Sequence, residues 1–308
     1  MSLPPITISL NPWYFCNFRC SFCYLTEQQL SDTTLLSLER LQKILTEVSE
    51  HYTIEHVDIY GGEVLLLPQE YRDGLLALLR DSGCTDINLN TNLSLVNDTA
   101  LDPDITLSVS YDFEAREKSQ KVLENMLTLP REYRVLTLVG RKFLDTVSVD
   151  ECVWTFNLLG QMYGVEFKPY STNQANQDAV SFTEFEDFVY AVMTHPDRSF
   201  EVENESLLND VLGGTRNAFS DDHLYVTPKG ELAVLEFDDQ DREFFLPVEG
   251  VAGYRKWCQK ERQRVSHNPV CGSCKFFGGC LSEHLRPVVD LNESCNGFHN
   301  LIVKWAES

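Results

Sequence analysis

Between residues 6 and 195 the sequence alternates short apolar runs with longer amphipathic ones, and this alternation restricts the fold more than any other feature. ITISLN (6–11), HVDIYGG (56–62), DINLNTN (86–92), ITLSVSYD (105–112), YRVLTLVG (133–140) and VEFKPYS (165–171) read as strands. The runs at 34–52, 70–83, 117–129, 149–164 and 182–195 carry apolar residues at helical spacing. β-then-α units imply a parallel sheet with crossover helices. Eight units close a full barrel; six predict an α/β fold built on an open, partial (β/α)6 TIM-like barrel, here residues 1–205. Chemistry in such folds sits at the carboxyl ends of the strands. Cys16 to Cys23 follow the first strand, and Gly61, Gly62 and Glu63 follow the second, so both segments fall on one rim.

After about residue 200 the pattern changes. HLYVTPKGELAVLEF (223–237) reads as a hairpin turning at Pro228–Gly230, a helix follows near 250–265, and FHNLIVKWAE ends the chain as another. Residues 206–308 are accordingly expected to form a small second domain. The 308 residues are 43% apolar, enough to fill a core, and the net charge is −22. That acid excess works against binding a phosphate backbone, so nucleic acid is not an expected partner. No apolar run reaches the ~20 residues of a membrane span. The amino terminus lacks the basic-then-apolar pattern of a secretory signal, which points to the cytoplasm.

In that compartment thiols stay reduced, so ten cysteines point to metal and not to disulfides. Three lie in CNFRCSFC, at Cys16, Cys20 and Cys23; four lie at Cys271, Cys274, Cys280 and Cys295. Three thiolates hold three corners of a cubic iron–sulfur cluster and leave the fourth iron open to a small molecule. A structural zinc would need a fourth ligand and a different spacing. Phe15, Phe18, Phe22 and Tyr24 crowd the loop, where they exclude water and offer a face to an adenine.

CxxxCxxC after the first strand, with an aromatic before the third cysteine, resembles the radical S-adenosylmethionine (SAM) enzymes. The resemblance implies a SAM-binding [4Fe–4S] cluster at Cys16, Cys20 and Cys23. It implies that one electron splits SAM to a 5′-deoxyadenosyl radical, which takes a hydrogen atom from the substrate. Gly61-Gly62-Glu63 matches the family's GGE motif, its glycines letting the backbone approach the methionyl ammonium and Glu63 accepting from it. Thr91-Asn92 matches the usual TN pair. Ser110 and Asp112 stand where similar enzymes show a serine near the ribose, strand-end capping being the other reading of both. With Phe22 and Asn92 they complete the cofactor-binding set. Family members often carry an arginine about a dozen residues past that serine; Lys118 and Lys121 stand in that stretch here.

CGSCKFFGGC is similar to the SPASM/Twitch extension of the same enzymes. The resemblance implies one auxiliary [4Fe–4S] cluster on Cys271, Cys274, Cys280 and Cys295, with Cys258 the rival fourth ligand. Leu235 and His284 stand where thiols of a second auxiliary cluster would be, and zinc is the alternative occupant. Cys84 and Cys152 read as core residues. Most enzymes with such extensions act on peptides, so the expected reaction is a cross-link or related modification during ribosomal peptide maturation. A peptide substrate would then come with a separate leader-recognition protein, since the first strand starts at residue 6. The alternatives are oxidation or rearrangement of a small metabolite such as an aminosugar, and a non-catalytic metal-binding scaffold. A flavodoxin- or ferredoxin-type protein is the implied electron donor. RKWCQKERQR (255–264) is basic in an acidic chain; it reads as a docking surface for an acidic donor or peptide, or as a solvated helix face, and EFDDQDRE (236–243) is its acidic counterpart. No catalytic acid or base stands out, although Glu166, Lys168, Tyr170 and Asn173 lie around the sixth strand.

Overall fold

The computed structural model describes residues 3–169, 180–219, 221–235, 245–280, 295 and 298–308. Ten strands form one sheet: β1 (Pro5–Leu10), β2 (Thr53–Ile59), β3 (Asp86–Thr91), β4 (Thr106–Ser110), β5 (Tyr133–Val139), β6 (Met162–Pro169), β7 (Glu201–Val202), β8 (His223–Val226), β9 (Leu232–Leu235) and β10 (Phe245–Pro247), in the order β10-β9-β8-β1-β2-β3-β4-β5-β6-β7. From β8 through β1 to β7 all neighbours are parallel; β8–β9 and β9–β10 are antiparallel. This is the open α/β barrel that the alternating pattern predicts, with further strands at both edges.

The helices form where the sequence supplies a cap and an apolar stripe. In Leu38–Ser49 the Ser37 hydroxyl accepts from the Arg40 amide at 3.0 Å, and Leu41, Ile44, Leu45 and Val48 turn to the sheet. Ile6, Ile8 and Leu10 of β1 meet that layer and are fully buried. Phe182–Met193 starts at a capping box of Ser181 and Glu184.

Three local outcomes differ from the periodicity. The helical run at 149–164 stops at Asn157, and Met162 already pairs with Tyr133, so the sheet takes residues that the helical period claimed. The third unit, which shows no helical run, holds a single turn, Asp98–Leu101, capped by Asn97. The hairpin turns as expected, with Gly230 at φ 74° and its amide on the Thr227 carbonyl at 2.9 Å. It does not stand apart, however: β8 runs parallel to β1 from Thr7–His223 to Leu10–Val226. Hydrogen bonding therefore runs across the proposed division at residue 205.

The last two helices tie the carboxyl-terminal segment to the barrel. Gly250–Ser266 buries Tyr254, whose hydroxyl accepts from the His223 amide at 3.0 Å. His299–Glu307 buries Leu301 and Ile302, and the Leu301 amide reaches Glu186 Oε1 at 3.3 Å. Among the described residues no helix is long and apolar enough to cross a membrane.

The sheet face opposite the helices is polar along the middle of the strands. Asn88 Nδ2 donates to Asp58 Oδ1 at 2.5 Å, Ser108 Oγ to Asn88 Oδ1 at 2.7 Å, and Arg134 Nε to Ser108 Oγ at 2.5 Å. Arg134 also pairs with Glu203 at 3.2 Å, and His56 pairs with Asp58 at 3.3 Å. Burial disfavours the Asp58 carboxylate, yet His56 and Asn88 hold it well below the usual range.

Candidate functional site

The segment after β1 crosses the rim as a loop locked to the GGE turn after β2. Gly62 N donates to the Trp13 carbonyl at 3.2 Å and Glu63 N to the Phe15 carbonyl at 2.8 Å. Trp13 Nε1 returns a bond to the Glu63 carbonyl at 3.1 Å. The approach is too close for any side chain. A Cβ on Gly62 would lie 1.9 Å from the Phe15 oxygen, and one on Gly61 2.4 Å from the Trp13 oxygen. Gly61 also adopts φ 142°. The two glycines thus seat the cysteine loop itself.

The Glu63 carboxylate has no exposed surface. Its Oε1 accepts from the Leu65 amide at 2.9 Å and the Thr91 hydroxyl at 2.7 Å, and its Oε2 accepts from the Asn92 amide at 2.7 Å. Burial pushes its pKa up while these donors oppose the rise. The side chain therefore joins the ends of β2 and β3. Replacing Glu63 with alanine leaves three buried donors unmet and is expected to lower unfolding free energy by about 3 kcal/mol in urea titrations. A change within about 0.5 kcal/mol would mean that the carboxylate holds nothing together.

That joint aims Asn92. Its Nδ2 lies 3.7 Å from Cys16 Sγ and 3.1 Å from Asn17 Oδ1. The Phe18 amide also points at Cys16 Sγ, at 3.4 Å. Burial raises the pKa of all three thiols, that of Cys23 to about 11; the charge of Cys20 adds to the rise at Cys16 and at Cys23, while Arg116 opposes it at all three. Arg19 clamps the loop through the carbonyls of Cys16 at 2.6 Å and Phe18 at 2.8 Å.

The family spacing does not point to Arg116, six positions after Ser110. Its guanidinium is only 12% exposed, pairs with Asp112 Oδ2 at 2.6 Å and lies 5.4 Å from the centroid of the Phe22 ring. Burial works against its charge, but Asp112 and the thiols of Cys20 and Cys16 hold its pKa above the ordinary value. Asp112 is fully buried, with Oδ1 on the Leu138 amide at 2.5 Å. It positions Arg116 and closes the end of β4. Ser110 lies half-buried on the same strand end. Lys118 reaches the Asn17 carbonyl at 3.2 Å and covers the Phe18 ring. Leu93, Phe113 and Lys118, three of the four non-glycine residues with positive φ among those described, ring this loop. Such strain clusters where function fixes the backbone.

Cys271, Cys274, Cys280 and Cys295 line one cavity together with Phe276, Phe277 and His299. Burial raises the Cys271 pKa to about 11, and the charges of Cys280, Cys295 and Cys274 add to the rise. Asn268 Oδ1 shapes the turn by accepting from the amides of Val270 and Cys271 at 2.9 and 3.0 Å. Cys258 lies elsewhere, under a shallow groove with Tyr52, Arg255 and Arg262. Phe298, the fourth positive-φ residue, follows Cys295.

Cys84 and Cys152 are buried, as expected of core residues. Glu166 and Lys168 pair at 3.4 Å on β6, in electrostatic reach of Glu203 and therefore of the polar face. Tyr170, Asn173, the 236–243 segment and His284 lie outside the described residues.

An open α/β barrel with a three-thiol loop at the strand ends defines a class of fold and site. Residues 10–106 match the model of the Radical SAM superfamily. The chain is similar to the S-adenosylmethionine-dependent nucleotide dehydratase of Pseudoalteromonas ulvae, 24% identical over 51% of this chain and 59% of that protein. It is also similar to the GTP 3′,8-cyclase of Gloeobacter violaceus, 33% identical over 28% of this chain and 27% of that one. The chain thus spans less than two thirds of the curated relatives it matches. Among solved structures, anSMEcpe with bound AdoMet aligns with a TM-score of 0.68 at 14% identity, covering 98% of this chain and 96% of that one. Streptococcus suis SuiB bound to precursor peptide SuiA aligns with a TM-score of 0.64 at 14% identity, covering 90% and 71%. These likenesses confirm the partial barrel with its carboxyl-terminal extension.

The residues at the rim fit an iron–sulfur group with a small-molecule cofactor beside it. Three cysteines give the thiolate set of an iron–sulfur cluster with one open iron. Among the described residues no three His, Cys, Asp or Glu side chains gather tightly enough for a single metal ion, whereas a cluster needs its thiols set around a larger group. Asn90 Oδ1, near the end of β3, is buried without a hydrogen-bond partner among the described residues, as a group awaiting a ligand would be.

Proposed function

We propose that the protein is a radical SAM enzyme with one auxiliary iron–sulfur cluster, acting on a peptide. The observation that carries the reading is the rim loop: three thiols, one buried and two half-buried, beside a paired cation, Arg116. When bound, the cluster and SAM supply an electron and a 5′-deoxyadenosyl group for hydrogen abstraction. The chain's own residues do the rest. Cys16, Cys20 and Cys23 are the ligands. Asn92 Nδ2 and the Phe18 amide point at the Cys16 sulfur, where hydrogen bonds favour the thiolate. Arg116 supplies a fixed positive charge for a carboxylate, in place of the arginine expected further on. Phe18 and Phe22 keep water out and offer an aromatic face. Gly61, Gly62 and Glu63 position the loop.

The auxiliary cluster would sit on Cys271, Cys274, Cys280 and Cys295. A peptide substrate is supported by the extent of one likeness. anSMEcpe with bound AdoMet and Cp18Cys peptide aligns over 99% of this chain and 96% of that one, the thiol-rich end included. A nucleotide is the second reading, favoured by the names of the two curated relatives, although the dehydratase covers only 51% of this chain.

The test is anaerobic turnover with dithionite and SAM. The protein is expected to be brown and to release 5′-deoxyadenosine, faster with a short precursor peptide encoded beside its gene and unchanged by nucleoside triphosphates. Acceleration by nucleotides alone would transfer the assignment to the second reading. A colourless protein that leaves SAM intact would end both and leave a scaffold.

A further inference from the structure

We propose that the helix Gly250–Ser266 is the docking face for an acidic one-electron carrier protein of the flavodoxin class, which delivers its electron at the four-thiol cavity. The inference rests on the function proposed above. The helix carries Arg255, Lys256, Lys260, Arg262 and Arg264 against one acid, Glu261, in a chain of net charge −22; Arg264 pairs with Glu261 at 2.9 Å and Arg262 with Asp221. An acidic partner is repelled by the molecule as a whole, so one basic face selects its orientation as well as attracting it. Lys256 and Lys260 are exposed and make no ion pair among the described residues. Arg255 lies flat over Tyr52, at 5.1 Å from the ring centroid, and lines a shallow groove with Gln259 and Arg262.

The position of this face relates it to the thiols. Arg262 stacks over the Phe219 ring at 4.2 Å, and Phe219 lies 5.5 Å from Phe277. Both rings line the four-thiol cavity, as does Val265 from the last turn of the same helix. The carboxyl-terminal turns of this helix therefore pack against the cavity, with the Phe219 ring between Arg262 and its lining. In the transfer, an anionic flavin hydroquinone loses one electron and no proton to become the neutral semiquinone, and the iron–sulfur group gains that electron.

The experiment measures binding and electron delivery separately. Titration of an acidic flavodoxin into the anaerobic holoprotein is expected to show an affinity that weakens with salt. The double variant Lys256→Glu/Lys260→Glu should weaken it about tenfold, since four units of charge are reversed at exposed positions. The same variant should slow 5′-deoxyadenosine release driven by flavodoxin hydroquinone while leaving the dithionite-driven rate unchanged. Failure of wild-type protein to turn over with dithionite would overturn the functional reading, while the titration would still judge the docking face. Absence of flavodoxin binding by the wild type would overturn the docking proposal. So would unchanged affinity in the double variant, or a loss seen only with Lys118→Glu/Lys121→Glu, which would move the contact to the amino-terminal cysteine loop.

Discussion

Alanine at Gly62 is expected to empty the amino-terminal thiol loop. The new Cβ would fall 1.9 Å from the Phe15 oxygen and 2.4 Å from the Tyr14 oxygen, both backbone atoms that no rotamer change can move aside. Relief requires the loop to lift off the GGE turn, which breaks the bonds from Gly62 N to Trp13 and from Glu63 N to Phe15. Cys16 directly follows Phe15, so the displacement passes to the first ligand. Anaerobically purified Gly62→Ala is expected to lose about four irons per chain. It should release 5′-deoxyadenosine at least about a hundredfold more slowly, the scale that a misplacement near 1 Å costs. Gly160→Ala is the control, since nothing lies within 4 Å of its Cβ position. Full iron and turnover in Gly62→Ala would show that the glycines do not seat the loop.

Much of this rim is legible in the sequence, and part of it is hidden there. A repeated short–long hydrophobic period is a local property, and it located β1 to β6 and their main helices. The edge strands were hidden because pairing is not local. β8 joins β1 across more than two hundred residues, and nothing in HLYV distinguishes a parallel partner from the arm of a detached hairpin. The end of the helix at Asn157 was lost for the same reason, since sheet pairing at Met162 overrode a continuing apolar period.

In the site, the ligand types were legible because chemistry fixes them: few side chains other than thiols hold iron–sulfur groups. Supporting roles were less so. The GGE glycines were expected to open space for a ligand, and the geometry assigns that space to the backbone of residues 13–15. Glu63 was expected at the ligand and is enclosed between strand ends. Arg116 was missed because a family spacing was sought about a dozen residues past Ser110. A signal was present in the sequence: Asp112 and Arg116 are four residues apart, and a short turn at Phe113–Ala115 brings them together.

The choice between Cys295 and Cys258 as the fourth carboxyl-terminal ligand yields the second large effect. Both thiols lie outside the cluster of Cys271, Cys274 and Cys280 along the chain, so spacing leaves the choice open. The fold separates them. Cys295 lines the cavity with the other three, and its charge reaches Cys271, whereas Cys258 lies beside Tyr254 and lines a separate groove with Tyr52, Arg255 and Arg262. Cys295→Ala is expected to remove about four irons per chain and to leave dithionite-driven 5′-deoxyadenosine release from the amino-terminal loop in place. Cys258→Ala is expected to keep all of its iron and to lose about 1 kcal/mol of stability, as a buried truncation does. Iron lost from Cys258→Ala, with Cys295→Ala intact, would reverse the assignment. The physical ground is where the fourth ligand is anchored. Beyond Cys295 the chain turns through Phe298 at φ 58°, its ring 5.0 Å from Phe185, and enters a helix held by Glu186 of the barrel. Phe298, three positions past Cys295, is thus anchored on the barrel's own outer helix, and a cluster closed on Cys295 would tie the carboxyl-terminal segment to the barrel.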